Sequence, residues 1–308
     1  MKLKGTLSLD LDNQWAYLKA RGDPSWESFP SYLEVFIPLV LTFFRERGSQ
    51  ATFFVVGQDA NQPKNQPFIQ SIFDEGHEIG NHSYYHEPWM KNRSTEAIIH
   101  ELDQAKKAIA SLTGKAPVGF RGPGFCRSEA IQEILSQNDY LYDSSLFSSL
   151  VSPLARLYYK KFAALEGESK KNAESLYGSA SDLFRSNRNR VLKSGLVEMP
   201  VTTIPLLKVP FHMSYLIFLA QRSESLMKSY LQIAMAFCKA TKTPPNFLLH
   251  PTDFLGNDSV KGMDFFPGMS IATEKKVKWV AEALNRIESS FSLEPMQVVA
   301  KSLKEGKG

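Results

Sequence analysis

Hydrophobic positions along the chain follow two patterns, short apolar or alternating runs and longer segments with amphipathic helical spacing. The short runs predict strands at Gly5–Leu11, Ala51–Val56, His77–Gly80, Val118–Arg121, Leu141–Leu146, Gly195–Thr203 and Phe247–His250. The helical spacing, with serine N-caps and glycine stops, predicts helices at Tyr32–Arg47, Pro67–Glu75, Ser94–Leu112, Ser128–Ser136, Ser223–Ala240 and Thr273–Ile287. Strands that alternate with helices indicate an α/β fold with a parallel sheet, and the number of repeats favours a closed or partly closed barrel.

One segment interrupts this alternation of strands and helices. Val151–Gly195 contains nine Lys or Arg residues and four acidic residues, a net charge of +5. The whole chain of 308 residues carries only +4, so its excess positive charge lies in this segment. We therefore interpret residues 1–308 as a single barrel domain with a basic insertion at about 151–195.

Composition narrows the class of protein. A hydrophobic content of 43% is typical of a globular protein, and the small net charge disfavours nucleic-acid binding. Cys126 and Cys238 cannot form a disulfide framework, which suits a reducing compartment. The N-terminus has no long apolar region, and the stretches Val35–Phe44 and Val209–Gln221 are shorter than the ~20 residues of a membrane-spanning helix. We expect a cytoplasmic protein.

Two histidines and two aspartates form the strongest candidate for chemistry. His82 and His86 are four residues apart, which places two imidazoles on one face of a helical turn. That pair alone is equally typical of two packed or exposed histidines. Asp10 and Asp12 alternate onto one face at the end of the first strand, where α/β proteins build active sites. One carboxylate can bind a metal ion while the other accepts a proton from the attacking water.

Two further strand ends carry candidate groups. Arg121 precedes Gly122-Pro123-Gly124; its guanidinium can pair with a carboxylate, and the Gly124 N–H can stabilise an oxyanion. A purely structural turn is the alternative. His250 follows an apolar strand, where a histidine is either structural or a general acid.

In this order, the motifs resemble those of the polysaccharide deacetylases of carbohydrate esterase family four, the NodB homology domain. The resemblance is carried by LSLDLDN, GHEIGNHSYYH, RGPGF, YLYDSS and LLHP, spread over residues 7 to 251. It implies a distorted (β/α) barrel and a hydrolase that removes the acetyl group from an N-acetylated amino sugar. It also implies a divalent metal ion as cofactor, usually zinc.

The resemblance further implies a role for each motif residue: Asp10 as catalytic base, Asp12, His82 and His86 as metal ligands, Arg121 as the partner that orients Asp10, Gly124 as oxyanion donor, His250 as general acid and Asp143 as the partner of His250. Two departures from the family pattern stand out. A leucine separates the two aspartates that are usually adjacent, and His250 is followed by Pro-Thr-Asp.

The sequence does not identify the substrate. The basic insertion and the apolar stretch around Leu206–Ala220 predict peripheral contact with the inner face of a membrane, where a polyprenyl-phosphate-linked sugar or another cell-envelope precursor is the substrate. The alternative is a solvated basic loop and a buried apolar element. Hydrolysis of another small amide or formamide, and a non-catalytic sugar- or lipid-binding module, are the competing functions. The intact set of candidate ligands, base and acid favours the deacetylase.

Overall fold

The computed structural model describes residues 2–151, 182 and 185–306. Its strands are β1 (Leu3–Asp10), β2 (Thr52–Val55), β3 (Glu78–Asn81), β4 (Gly119–Phe120), β5 (Tyr142–Asp143), β6 (Arg190–Val191), β7 (Val197–Glu198), β8 (Asn246–Leu249) and β9 (Phe291–Glu294). Its helices are α1 (Gln14–Arg21), α2 (Leu33–Arg47), α3 (Gly57–Asn61), α4 (Gln66–Asp74), α5 (Thr95–Thr113), α6 (Glu129–Gln137), α7 (Met213–Ala220), α8 (Glu224–Ala240), α9 (Thr273–Glu288) and α10 (Met296–Lys304).

The strands form one curled sheet in the order β6-β7-β5-β4-β3-β2-β1-β8, and β9 pairs with the first half of β1. All neighbouring strands are parallel except β6 and β7. The segment after β7 approaches β8, because the Thr202 N–H donates to the Asn246 carbonyl oxygen at 3.3 Å. The Asn246 side chain also donates to the Pro200 carbonyl at 2.8 Å. The α/β fold and the distorted (β/α) barrel predicted from the sequence are confirmed.

Local sequence signals explain where the main helices begin and end. The Ser94 hydroxyl accepts the Ala97 N–H at the start of α5, and the Ser128 hydroxyl accepts the Ile131 N–H at the start of α6, as the serine caps predicted. Gly48 ends α2 with φ of 60°, a conformation that glycine adopts without steric strain. The apolar stripe of α2 is buried against the sheet, so the largest hydrophobic cluster lies between these two layers.

Several predicted boundaries differ from the structure. The strand predicted at Leu141–Leu146 contains only the two residues of β5, and the one predicted at Gly195–Thr203 contains only β7. Six elements were not predicted: α1, α3, β6, α7, β9 and α10. Strands of two residues make few ladder hydrogen bonds, so sequence pattern defines their ends poorly.

Most of the predicted basic insertion lies outside the described residues, since 152–181, 183 and 184 are not part of them. The described remainder includes β6, where Arg190 forms a salt bridge with the buried Glu198 of β7 at 2.5 Å. In the part of the chain that the structure describes, helices are too short or too polar to cross a membrane.

Candidate active site

Asp12, His82 and His86 meet at the carboxyl end of the parallel strands. Asp12 lies two residues beyond β1, and His82 directly follows β3. One carboxylate oxygen of Asp12, Oδ1, lies 3.2 Å from His82 Nε2 and 3.0 Å from His86 Nε2. Within the described residues, these three form the group whose ligand atoms are close enough to hold a metal ion. The structure thus brings together the residues that the sequence singled out.

The chain between the two histidines is a bend and not the helical turn that their spacing suggested. Ser83 and His86 have φ of 62° and 51°, in the left-handed region that residues other than glycine rarely adopt. The bend is held by side chains: Asn81 accepts the Ser83 N–H, and Glu101 of α5 accepts two further N–H groups of the bend at 3.0 and 2.7 Å. Side-chain hydrogen bonds therefore stabilise the strained backbone of this bend.

Hydrogen bonding fixes the orientation of the His82 ring. Its Nδ1 lies 2.7 Å from the Arg121 carbonyl oxygen, so Nδ1 carries a proton and Nε2 is the nitrogen that points towards Asp12. A ligating histidine usually has such a partner on its second nitrogen. Two imidazole nitrogens and a carboxylate oxygen form a donor set that zinc and similar divalent ions prefer.

The charges around this donor set also suit a cation. Burial raises the pKa of Asp12, but the charges and hydrogen bonds of His86 and His82 outweigh it and hold the pKa well below its usual range. Burial lowers the pKa of His82, yet the negative charges of Asp10 and Asp12 outweigh burial and raise it. Two carboxylates concentrate negative charge beside the imidazoles. The residues present therefore fit a divalent metal ion.

Asp10 is paired with a fully buried arginine. Arg121 Nη1 donates to Asp10 Oδ1 at 2.6 Å, and the guanidinium makes further hydrogen bonds to Ser8 and to the backbone and side chain of Ser144. It also lies over the ring of Phe54, 4.3 Å from the centroid. The orientation of Asp10 by Arg121 that the sequence suggested is present in the geometry, and it leaves the second oxygen of Asp10 available.

That second oxygen faces His250. Asp10 Oδ2 lies 3.9 Å from His250 Nε2, and His250 directly follows β8. On the other side of the ring, Nδ1 lies 3.2 Å from the Ser214 hydroxyl and 3.8 Å from Asp253 Oδ2. Burial lowers the pKa of His250, but Asp253, Asp10 and Asp12 outweigh it and raise the pKa to about 9. An imidazolium at neutral pH is suited to donate a proton.

The structure places Asp143 elsewhere than the sequence suggested. Its carboxylate accepts hydrogen bonds from Gln132, and from the backbone and hydroxyl of Ser145, so the predicted pairing with His250 is wrong. Ser145 in turn accepts the Gly122 N–H at 2.8 Å. Asp143 therefore supports the turn that contains Gly124. It lies at the end of β5, whereas the partners of His250 come from α7 and from the turn that follows β8.

Gly124 occupies a short 3-10 turn, Pro123–Phe125, with φ of 56°. The hydrogen bonds of this turn use the N–H groups of Phe125 and Cys126, and not that of Gly124. A backbone N–H outside the internal bonds of its turn can donate to an oxyanion.

Sequence reasoning missed three side chains around His250. Ser214 and His212 belong to the stretch that was interpreted only as apolar. Asp253 lies three residues after His250, a spacing that could have indicated a contact between its carboxylate and the imidazole. The His212 ring centroid lies 6.4 Å from that of His250. Burial and the positive charge of His250 lower the pKa of His212 to about 4, so the two imidazoles carry different charges at neutral pH.

Comparison with known proteins agrees with this fold. The family model described as polysaccharide deacetylase matches residues 25–142. A peptidoglycan deacetylase of Helicobacter pylori is 34% identical over 121 residues, which cover 39% of this chain and 40% of that protein. The peptidoglycan-N-acetylmuramic acid deacetylase PdaA of Bacillus subtilis is 36% identical over 85 residues, 27% of this chain and 31% of the relative. The chain spans less than half the length of these curated relatives.

Solved structures extend the likeness of fold beyond the matched segment. A protein of Mycobacterium smegmatis assigned to the polysaccharide deacetylases superposes with a TM-score of 0.60 at 19% identity, over 99% of this chain and 91% of that one. A CE4 family pseudoenzyme of Bacillus anthracis superposes with a TM-score of 0.50 at 14% identity, over 97% and 65% of the two chains. The polysaccharide deacetylase family model matches residues 25–142 of this chain, and the solved structures show the same fold over nearly its whole length. Asp10, Asp12 and His250 lie outside that range, so the family model does not cover them.

Proposed function

We propose that this protein is a metal-dependent N-deacetylase that removes the acetyl group from an N-acetylated amino sugar, with zinc as the metal. One observation carries the proposal: beside the three metal-binding side chains, a carboxylate and an imidazolium face each other, with Asp10 Oδ2 and His250 Nε2 at 3.9 Å. Hydrolysis of an amide needs a base for the attacking water and an acid for the departing amine. The deacetylase relatives support the same class of reaction.

The side chains divide the reaction between them. A divalent ion held by Asp12, His82 and His86 would supply a Lewis acid for the acetamide carbonyl. Asp10, oriented by Arg121, removes a proton from water as the water oxygen attacks the carbonyl carbon. The Gly124 N–H donates a hydrogen bond to the oxyanion that develops. His250 protonates the nitrogen as the C–N bond breaks, which releases acetate and a free amino sugar.

The first test is release of acetate and formate from a panel of N-acylated hexosamines, together with elemental analysis of the purified protein. We expect acetate, and Asp10→Asn and His250→Ala should lower kcat by about 10²–10⁴ with the metal retained. Asp12→Asn should lower metal content. His100→Ala, at an exposed position of α5, is the matched control and should leave both unchanged. Near wild-type turnover of the Asp10 or His250 variants with metal bound would contradict the mechanism, and release of formate alone would favour the formamide hydrolase.

We propose further that the substrate is linked to a lipid at the inner membrane face. Large apolar side chains are exposed beside the site: Leu206 is 78%, Leu150 56% and Phe218 53% exposed. Leu150 adjoins the Leu206 loop, since its N–H donates to the Lys208 carbonyl at 2.9 Å. Phe218 lies on α7, the helix that carries Ser214 against His250. Apolar surface at this point would rest on a bilayer next to the acid.

Vesicle flotation tests the lipid-linked substrate. Replacing Leu206 and Phe218 by serine should reduce binding to vesicles of phosphatidylcholine and phosphatidylglycerol. It should also lower kcat/KM for a polyprenyl-phosphate-linked N-acetylhexosamine while kcat/KM for the soluble sugar stays the same. Serine at Ile99 and Ile233, which are 41% and 51% exposed, controls for the loss of apolar surface elsewhere. If the two pairs of substitutions reduced vesicle binding equally, or if neither pair reduced it, the proposed membrane-contacting surface would be ruled out.

A further inference from the structure

The turn that follows His250 connects the proposed acid to its partner carboxylate. Pro251–Asp253 forms a single 3-10 turn, and Asp253 Oδ2 accepts the His250 N–H at 2.8 Å. The same oxygen lies 3.8 Å from His250 Nδ1. The conformation of these three residues therefore decides where the Asp253 charge lies relative to the imidazole.

A lysine from α9, a helix that follows later in the sequence, binds the backbone of this turn. Lys276, in the first turn of α9, is 0% exposed. Its ammonium group donates to the Thr252 carbonyl oxygen at 2.8 Å and to the Leu255 carbonyl oxygen at 2.6 Å. Thr252 is the middle residue of the turn and Leu255 lies two residues after it, so one cation ties the turn and the segment that follows it to α9.

Apolar packing alone does not explain why the charged Lys276 side chain is buried. Placing an ammonium group in a protein interior is unfavourable, and the positive end of the helix dipole adds repulsion in a first turn. The hydrogen bonds of Lys276 go to carbonyl oxygens and not to a carboxylate. Burial accordingly lowers its pKa to about 8, although Asp253 and Asp258 oppose this. A methionine of similar volume would fill the same space without a charge.

We propose that Lys276 is a positioning residue for the proposed general acid: by binding the carbonyl groups of the 251–255 turn, it holds Asp253 against the imidazole of His250. The role of His250 rests on the proposed function, but the placement of Asp253 does not. Lys276 acts only through the turn.

The charge on His250 reports on this positioning. The titratable groups that face His250 are Asp253 from its own turn, Asp10 and Asp12 from the end of β1, and His212 ahead of α7. Asp253 is the strongest contributor that raises the His250 pKa. If Lys276→Met releases the turn, Asp253 moves away and the pKa of His250 falls. If Lys276 acted by its positive charge alone, removing that charge would raise the pKa instead. A purely structural lysine would change neither.

The experiment is an NMR titration of the His250 imidazole in the full chain, for wild type, Lys276→Met and the control Leu284→Ala. Leu284 is buried on the same helix, two turns further along, so its truncation also destabilises the fold. We expect the pKa of His250 to fall by about one unit in Lys276→Met and to stay unchanged in Leu284→Ala. An unchanged or raised pKa in Lys276→Met, or an equal fall in Leu284→Ala, would overturn the proposal.

Kinetics provide a second measurement on the same proteins. Lys276→Met should lower kcat on the order of tenfold to a hundredfold with little change in KM, because a displaced acid affects the bond-breaking step more than binding. The alkaline limb of the pH profile should move to lower pH. Leu284→Ala should retain kcat at a temperature where it is folded. If wild type releases no acetate, the proposed function fails while the NMR result still decides the role of Lys276.

A second variant covers the case in which Lys276→Met does not fold. Lys276→Gln is neutral but keeps an N–H donor for one of the two carbonyl groups. It should show a smaller fall of the His250 pKa in the same direction. A wild-type pKa in this variant would contradict the positioning role.

Discussion

Asp59 lies beneath the loop that carries Asp12, and its two oxygens have very different surroundings. Oδ1 accepts hydrogen bonds from Asn13 at 2.7 Å, Trp15 at 3.0 Å and Asn65 at 2.9 Å. Oδ2 is buried and has no partner among the described residues. Burial raises the pKa of Asp59 to about 7, although the hydrogen bonds from Asn13 and Trp15 oppose this. A carboxyl group whose pKa lies near neutral pH thus supports the loop that carries Asp12.

This makes stability depend on pH in a defined direction. The folded state binds the Asp59 proton more tightly than the unfolded state, whose pKa is close to 3.8. The free energy of unfolding therefore falls as pH rises from about 4 to about 7, by up to about 4 kcal/mol from this group. Asp59→Asn keeps the Oδ1 acceptor but cannot ionise, so it should lose less stability between pH 5 and pH 8 than wild type. Urea denaturation followed by circular dichroism measures the difference.

The control for this prediction is Asp74→Asn, at an exposed position of α4. It should follow the wild-type dependence on pH. Parallel curves for wild type and Asp59→Asn would show that Asp59 does not titrate in this range.

At the scale of single residues, the sequence predicted the cluster of candidate ligands better than the residues that support it. Asp12, His82 and His86 could be found because alternation and strand ends place them together, and Arg121 because it precedes a turn at another strand end. Glu101, Lys276 and Ser214 could not be found in this way. Each lies on a helix at a distance in sequence from the group it contacts, and only the packing of that helix brings it there.

The bend between β3 and α5 shows how one element determines the geometry of another. Glu101 of α5 is buried and accepts two backbone N–H groups from the bend between His82 and His86. Two hydrogen bonds to a charged acceptor stabilise a conformation that is unfavourable in isolation. The helix therefore fixes the distance between the two histidines, although it supplies no ligand.

Glu101→Gln should weaken metal binding without removing a ligand. The amide accepts hydrogen bonds less strongly than the carboxylate, so we expect a loss of about 10- to 100-fold in metal affinity. Competition with a chromophoric chelator measures this affinity. Glu96→Gln, at an exposed position in the first turn of the same helix, should bind metal as wild type does. An unchanged affinity in Glu101→Gln would mean that the bend keeps its shape without that acceptor.

Predictions at the scale of elements succeeded where pattern and caps agreed. Helices α2, α5, α6, α8 and α9 have amphipathic spacing with a serine cap or a glycine stop, or a long regular stripe, and they occur within one or two residues of the predicted positions. Helix α7 was missed because its sequence is apolar on nearly all sides, which gives no helical periodicity to read. The bend at His82–His86 was missed because a separation of four residues suits either a helical turn or a bend.

At the scale of the whole molecule, Asn246 joins the two ends of the curled sheet. Its amide donates to the Pro200 carbonyl and to Asn189, and its carbonyl accepts the Thr6 hydroxyl. Asn246→Ala leaves buried polar groups without partners, so we expect the free energy of unfolding to fall by about 2–3 kcal/mol. Chemical denaturation measures it, and Asn285→Ala on the surface of α9 should change it by less than about 0.5 kcal/mol. Equal values for the two variants would mean that the closure contributes little.

The pairing of β1 with β8 affects the point during synthesis and folding at which the complete site can form. It joins residues 240 positions apart, as the contact between Thr6 and Asn246 shows. The three candidate metal ligands belong to the first third of the chain, whereas His250, Asp253 and Lys276 come from the last third. During synthesis, the segment with Asp12, His82 and His86 therefore leaves the ribosome long before the segment with His250. Contacts between such distant segments form late in folding, so the three candidate metal ligands can come together before the candidate acid joins them.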